Sequence, residues 1–257
     1  MDSEETQYEV QTPATVQKQS NPLIIPGAIL IGFALIAAAI YFSGGINPTA
    51  NVAGTQPTRN EVAAPAGGGE VRPVDENDHI RGNPNAPIVI IEYSDYDCPF
   101  CKSHHETMNQ VMTDYGAGGQ VAWVYRHFPI EQLHPNAPLL ALASECVADL
   151  TDNEGFWAFS DLIFGERARN ELTNITKLDS FAEQVGADTV AFNTCLEEGT
   201  FIDKVEEDFV DAANAGAEGT PYSLVLVGGQ QGVINGAQPY EAVKQIIDTL
   251  LTQIEGS

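Results

Sequence analysis

Ile88-Val89-Ile90-Ile91-Glu92-Tyr93-Ser94-Asp95-Tyr96-Asp97-Cys98-Pro99-Phe100-Cys101 is the stretch on which the reading of this chain turns. Its first half is a nearly continuous apolar run, the pattern of a strand covered on both faces. Its second half delivers two cysteines to the start of a segment with helical periodicity, in which Phe100, His104, Met108, Val111, Met112 and Tyr115 recur. A buried strand that leads into a C-x-x-C at a helix N-terminus points to thiol redox chemistry.

The spacing predicts Cys98 at the N-cap and Pro99 at the first helical position, where a missing N–H costs nothing because that donor has no intrahelical partner. The amides of Phe100 and Cys101 then face the Cys98 sulfur, and with the helix dipole they favour its thiolate, the attacking species in disulfide exchange. Such settings bring a cysteine pKa from about 8.5 down to roughly 3.5 to 7.5. Cys101, one turn deeper, is placed to resolve a mixed disulfide formed at Cys98. A C-x2-C-x2-H-H zinc cluster of Cys98, Cys101, His104 and His105 is the rival reading, but zinc sites usually draw on two separated ligand pairs. A purely structural Cys98 to Cys101 bridge closes too short a loop to remove much chain entropy. The dithiol reading requires no cofactor and no metal.

The rest of the chain alternates strand and helix signals. Val121 to Phe128 reads as a second strand, and the glycines at 116, 118 and 119 end the helix before it. Helical patterns follow over Ala137 to Leu150, Phe156 to Gly165, Lys177 to Val185, Thr189 to Glu198 and Ile202 to Ala215. Tyr222 to Val227 and Gly232 to Asn235 form a hairpin around Gly228-Gly229, and Glu241 to Gln253 is a closing amphipathic helix. The expected order is β-α-β, a helical insert over about 131–216, then β-β-α, an α/β fold. His127 and His134 are read as structural residues.

Of the 257 residues, 1–22 form a short tail and 23–42 are twenty residues without a charge, enough to cross a hydrocarbon core of about 30 Å as one helix. The acidic residues before that run argue for an uncleaved anchor over a signal peptide, which would be preceded by basic ones. Residues 43–80, rich in glycine and proline, read as a flexible linker to a domain at 81–257; some 35 such residues reach about 30 to 35 Å. Four cysteines with one redox pair suit an oxidising compartment, so the expected location is the cell membrane, single-pass, with the catalytic domain extracytoplasmic. A formal net charge of −25 argues against nucleic acid as a partner.

With the flanking turn Gly82-Asn83-Pro84-Asn85-Ala86-Pro87, the opening stretch resembles the DsbA-like thioredoxin-fold thiol:disulfide oxidoreductases, in particular their membrane-anchored branch. Tyr125-Arg126-His127-Phe128-Pro129, Gly155-Phe156-Trp157 and Gly219-Thr220-Pro221 extend the likeness over about 175 residues. The resemblance implies a thioredoxin-like fold and a protein that forms disulfides in cysteine-containing protein substrates, reoxidised by a quinone-coupled membrane partner or a small-molecule oxidant. It also implies a buried acid at Glu92 passing protons to and from Cys101, and a cis-proline loop at Thr220-Pro221 that lines the substrate path with Pro99 and Phe100. Phe100 departs from the histidine that the family's strong oxidants often carry there.

Cys146 and Cys195 each fall on an apolar helical stripe facing the insert. Joined, they close a loop of about 50 residues, a gain of roughly 4 kcal/mol in the chain-entropy picture; two reduced buried thiols are the alternative. A disulfide reductase or isomerase, or a non-catalytic redox-labile binding module or chaperone, are the competing functions.

Overall fold

Strand β2, Ile88–Ser94, offers no polar face to water: Ile88, Ile90, Ile91 and Tyr93 are buried, and so are Glu92 and Ser94. Such a strand belongs at the centre of a sheet. The structure is a computed structural model describing Gly69 and residues 71–256. Among these, five strands form one mixed sheet in the order β1-β3-β2-β4-β5, with β1 at His79–Gly82, β3 at Val121–His127, β4 at Tyr222–Val227 and β5 at Gln230–Asn235. β3 lies parallel to β2, with Tyr125 opposite Glu92, while β4 lies antiparallel on the other side, with Ser223 opposite Glu92.

Parallel neighbours need a crossover, and α1 (Pro99–Val111) supplies it. It buries Cys101, His104, His105, Met108 and Val111 against the sheet, whereas Phe100, counted above among the recurring apolar positions, is 55% exposed. Between β3 and β4 run α2 (Ala137–Leu150), α3 (Asn153–Glu166), α4 (Leu178–Gln184), α5 (Thr189–Glu198) and α6 (Ile202–Asn214). Helix α7 (Tyr240–Glu255) closes the domain. Alternation along β2 divides the core: Ile88 and Ile90 join Met108, Trp123, Phe156, Val243 and Ile247 on one face, and Ile91 and Tyr93 join Val124, Ala212 and Leu224 on the other.

Helix ends follow local chemistry. α3 begins at Asn153, earlier than the apolar pattern from Phe156 suggested, because the Asp152 carboxylate accepts from the Gly155 amide at 3.0 Å. Asp188 caps α5 in the same way through Ala191. β5 begins at Gln230, two residues before its expected start at Gly232, because the ladder with β4 runs on to the turn.

The larger correction concerns the linker, expected to reach residue 80. From Arg72 onward the chain is built into the domain: the Arg72 amide donates to Asp211 Oδ1 at 2.7 Å, and His79–Gly82 pairs antiparallel with β3. Asp78 takes a two-pronged bond from Arg126, both arms 2.8 Å, and Arg126 Nη1 also donates to Asp211 Oδ2 at 2.7 Å. Tyr93 Oη donates to the same carboxylate oxygen at 2.6 Å. These ties span up to 139 residues of sequence, so no local periodicity announces them. The expected tail, membrane anchor and most of the linker lie outside the described residues. No described helix is long and apolar enough to cross a membrane.

Candidate functional site

Cys98 is the N-cap of α1, extended at φ −68° and ψ 126°, with Pro99 in the first turn. The cap conformation swings Sγ toward the helix start and leaves 4% of the residue exposed. Sγ donates to the Thr220 carbonyl at 3.4 Å, across a sequence separation of 122, and the Thr220–Pro221 peptide bond is cis. Cys101 is fully buried, and its Sγ accepts from the Asp95 amide at 3.4 Å. Both cysteines are free thiols.

The environment drives the two sulfurs apart. Cys98 is lowered to about 6, first by a hydrogen bond from the Cys101 thiol and then by the amides of Cys101 and Phe100, against the opposing effect of burial. Cys101 is pushed well up by burial and by the negative charges of Cys98 and Glu92. At neutral pH the pair is therefore one thiolate near the surface and one thiol beneath it.

Glu92 sits one layer down at the centre of the sheet, fully buried. Trp123 Nε1 donates to its Oε2 at 2.9 Å, and Oε1 has no hydrogen-bond partner among the described residues. Desolvation raises this carboxyl to about 7, with the Cys98 charge adding, while the bond from Trp123 opposes the shift. A carboxyl poised there exchanges protons near neutrality. His104 Nε2 lies 4.0 Å from Glu92 Oε2 and 3.2 Å from Ser223 Oγ; burial lowers it to about 4, so it stands neutral beside the acid.

The other sequence-predicted residues divide. Phe100 projects outward beside Cys98, with the Arg169 guanidinium 5.6 Å over its ring. Cys146 on α2 and Cys195 on α5 are bridged, with Cα atoms 5.9 Å apart, away from the dithiol in the insert. His127 Nε2 and His79 Nε2 each lie 2.8 Å from the same buried oxygen, Glu145 Oε1, and His134 Nδ1 lies 2.8 Å from Asp95 Oδ2. His105 turns to Asp161 at 2.6 Å, away from the sulfurs. Among the described residues no group of three His, Cys, Asp or Glu is arranged to hold a metal ion.

Three residues around the dithiol had not been singled out. Asp95 Oδ2 accepts from the Ile130 amide at 2.8 Å, fixing the turn after β2 to the chain beyond β3. Asp97 Oδ1 accepts from Thr173 N at 2.8 Å and Thr173 Oγ1 at 2.6 Å. Arg167, buried, donates to the carbonyls of Tyr96 and Cys98 at 2.8 and 2.9 Å. Asp-Tyr-Asp before the cysteines was a signal for the first two; Arg167 sits 66 or more residues away with nothing nearby to mark it.

A family model described as Thioredoxin matches residues 74–249. Among solved structures, BdbD from Bacillus subtilis (oxidised) superposes with a TM-score of 0.62 at 23% identity, covering 72% of this chain and 99% of that one. DsbA2 of Pseudomonas aeruginosa gives 0.59 at 25% identity, covering 70% and 97%. Among curated proteins, a Na(+)/H(+) antiporter NhaA 1 from Mycobacterium sp. (strain KMS) is 34% identical over 158 residues, 60% of this chain and 24% of the antiporter. The chain thus spans about a quarter of the length of such relatives, and the antiport in that name belongs to the longer protein.

Proposed function

The chain belongs to the thioredoxin family, and from that premise we propose that it is a DsbA-like thiol:disulfide oxidoreductase, one that forms disulfides in extracytoplasmic proteins through Cys98-Pro99-Phe100-Cys101. The observation that carries the reading is the placement of the two sulfurs: Cys98 at the helix N-cap has its Sγ 3.4 Å from the Thr220 carbonyl, beside a cis-proline and over the fully buried Cys101, a setting that lowers the first to about 6 and raises the second well above its usual value. A structural cysteine pair has no need of such a difference, and a binding module has no need of a carboxyl brought to about 7 beneath it.

In the proposed cycle a substrate thiolate attacks Cys98 of the Cys98–Cys101 disulfide. One S–S bond forms to the substrate, the intramolecular bond breaks, and Cys101 leaves as a thiolate that takes the Glu92 proton. A second substrate thiolate then attacks the substrate sulfur of the mixed disulfide, and Cys98 leaves as the stabilised thiolate. The substrate loses two electrons and the enzyme pair gains them. The Thr220 main chain, opposite Cys98, pairs with an extended substrate segment, and Pro99 and the exposed Phe100 flank it. Reoxidation falls to a membrane quinone-coupled partner or a small-molecule oxidant, with residues 23–42 as the anchor and the domain on the extracytoplasmic side.

Equilibrating the purified protein with glutathione buffers of known ratio and trapping the thiols with acid measures the reduction potential of the Cys98–Cys101 couple. A potential in the oxidising range of the family supports the reading; a couple that stays disulfide-bonded under strongly reducing buffers overturns the oxidase direction.

A further inference from the structure

Arg167 belongs to no motif and touches neither sulfur, yet it is the most heavily committed cation near the dithiol. Its side chain is buried, and all four of its hydrogen bonds go to main-chain carbonyls. Nη2 donates to Tyr96 O at 2.8 Å and Cys98 O at 2.9 Å, and Nη1 to Arg169 O at 3.0 Å and Glu171 O at 3.1 Å. Nε lies 3.8 Å from Asp97 Oδ1, too far for a hydrogen bond.

One fork thus grips two chain segments: the turn that carries Cys98 and the stretch of the insert just past α3. The same segments are fastened again by Thr173 to Asp97 Oδ1, and the turn is tied to α3 itself by the Tyr96 Oη to Ser160 Oγ bond at 2.7 Å. Burying a guanidinium on carbonyls is expensive as a way to hold a loop, since neutral donors would serve. What a cation adds is charge: Asp97, Asp95, Cys98 and Cys101 are the ionisable groups it faces. What a fork adds is direction, because the Cys98 carbonyl it holds also accepts the first helical bond, from Lys102 N at 3.2 Å.

We propose that Arg167 is the positioning residue of the redox pair: by gripping the Cys98 carbonyl it fixes the N-cap conformation that aims Sγ at the helix amides, and its buried charge favours the thiolate. The helical insert, on this proposal, sets the chemistry of the thioredoxin core instead of merely covering it. The proposal rests on the oxidoreductase reading above.

The test compares the full chain with Arg167→Gln by thiolate ultraviolet absorbance against pH and by the pH dependence of oxidation of a dithiol peptide. The expected result is a Cys98 titration midpoint raised by about one unit, hence a roughly tenfold smaller thiolate fraction below pH 6, with the difference fading in alkali. An unchanged midpoint and an unchanged pH profile in a folded variant overturn the proposal. Where Arg167→Gln fails to fold, Arg167→Lys decides the positioning role: it keeps a cation but not the four-bond fork, so a shifted midpoint supports the grip on the Cys98 carbonyl and an unchanged one overturns it. A wild type that exchanges no disulfides overturns the oxidoreductase reading instead, and the midpoint comparison still stands on its own.

Discussion

The Cys98 thiol points at the Thr220 carbonyl, 3.4 Å away across 122 residues of sequence. In the proposed cycle, a substrate strand pairing with the Thr220 main chain would bring its own sulfur along the line of that contact, toward Cys98 and not toward Cys101, which is fully buried. The geometry therefore separates an attacked sulfur from a resolving one.

The corresponding prediction is that Cys98 alone forms the mixed disulfide. In a Cys101→Ser variant incubated with an oxidised cysteine peptide, adducts should accumulate and map by mass to Cys98. Adducts through Cys146 or Cys195, or none at all, would contradict the assignment.

Glu92 carries two coupled expectations. Its carboxyl is raised to about 7 by desolvation, so its contribution to stability is whole below its unfolded value and is lost as pH rises through 7; ionising it inside the sheet is a cost that grows across that window. At about 1.4 kcal/mol per unit, the full cost is of order 3 kcal/mol in mild alkali. Glu92→Gln removes the ionisation, so it should match the wild type near pH 4.5 and exceed it in stability near pH 8, while slowing disulfide exchange and flattening its pH dependence. Denaturant curves at the two pH values and a rate profile check both halves, and an unchanged rate profile would remove Glu92 from proton transfer.

How much of this was legible in the chain follows from range. The apolar run of β2, the 3.6-residue stripes of α2 to α6 and the helix-start dithiol are local patterns, and they gave the element order and the positions of Cys98, Cys101 and Glu92. What was missed acts at a distance. β1 is four residues long, half polar, and held by a ladder to β3; Arg126 looked like part of a family motif but is a buried hub for Asp78 and Asp211. Arg167 is in the same class.

That hub makes the domain boundary testable. Chains beginning at residue 69 and at residue 83 differ by the segment carrying Arg72, Asp78 and β1. The shorter one leaves the fully buried Arg126 without its Asp78 partner, a loss of about 3 to 5 kcal/mol for a broken buried pair. Asp78→Ala in the longer chain should reproduce most of that loss in urea unfolding, and equal midpoints for the two chain lengths would restore the linker to residue 80.

Cys146 and Cys195 tie α2 to α5 over 49 residues. Joining such a loop is worth roughly 4 kcal/mol in the chain-entropy picture. The paired variant Cys146→Ala with Cys195→Ala should lose stability of that order while keeping the Cys98 titration. Under mild reduction of the oxidised protein, alkylation should label Cys98 and Cys101 first, and equally fast labelling of Cys146 or Cys195 in the folded chain would refute a structural bridge.

The last prediction is the direction of electron flow, read from stability. In the reduced protein Cys98 is held at about 6 by the Cys101 thiol and the helix amides, against about 8.5 for a free cysteine. A depressed acid stabilises the fold above its unfolded pKa and loses that effect as pH falls through its folded value. The disulfide form has no such group. Reduced protein should therefore outlast oxidised protein in denaturant by about 1 kcal/mol at neutral pH, by more as pH rises to about 9, and by almost nothing near pH 5. Because that difference closes a cycle with the reduction potential, about 1.4 kcal/mol corresponds to 30 mV by which the couple is more oxidising than an unfolded dithiol. Paired unfolding curves of the two redox forms across pH measure it. An oxidised form that is the more stable at neutral pH would reverse the sign, making the Cys98–Cys101 pair a donor of electrons and the protein a reductase.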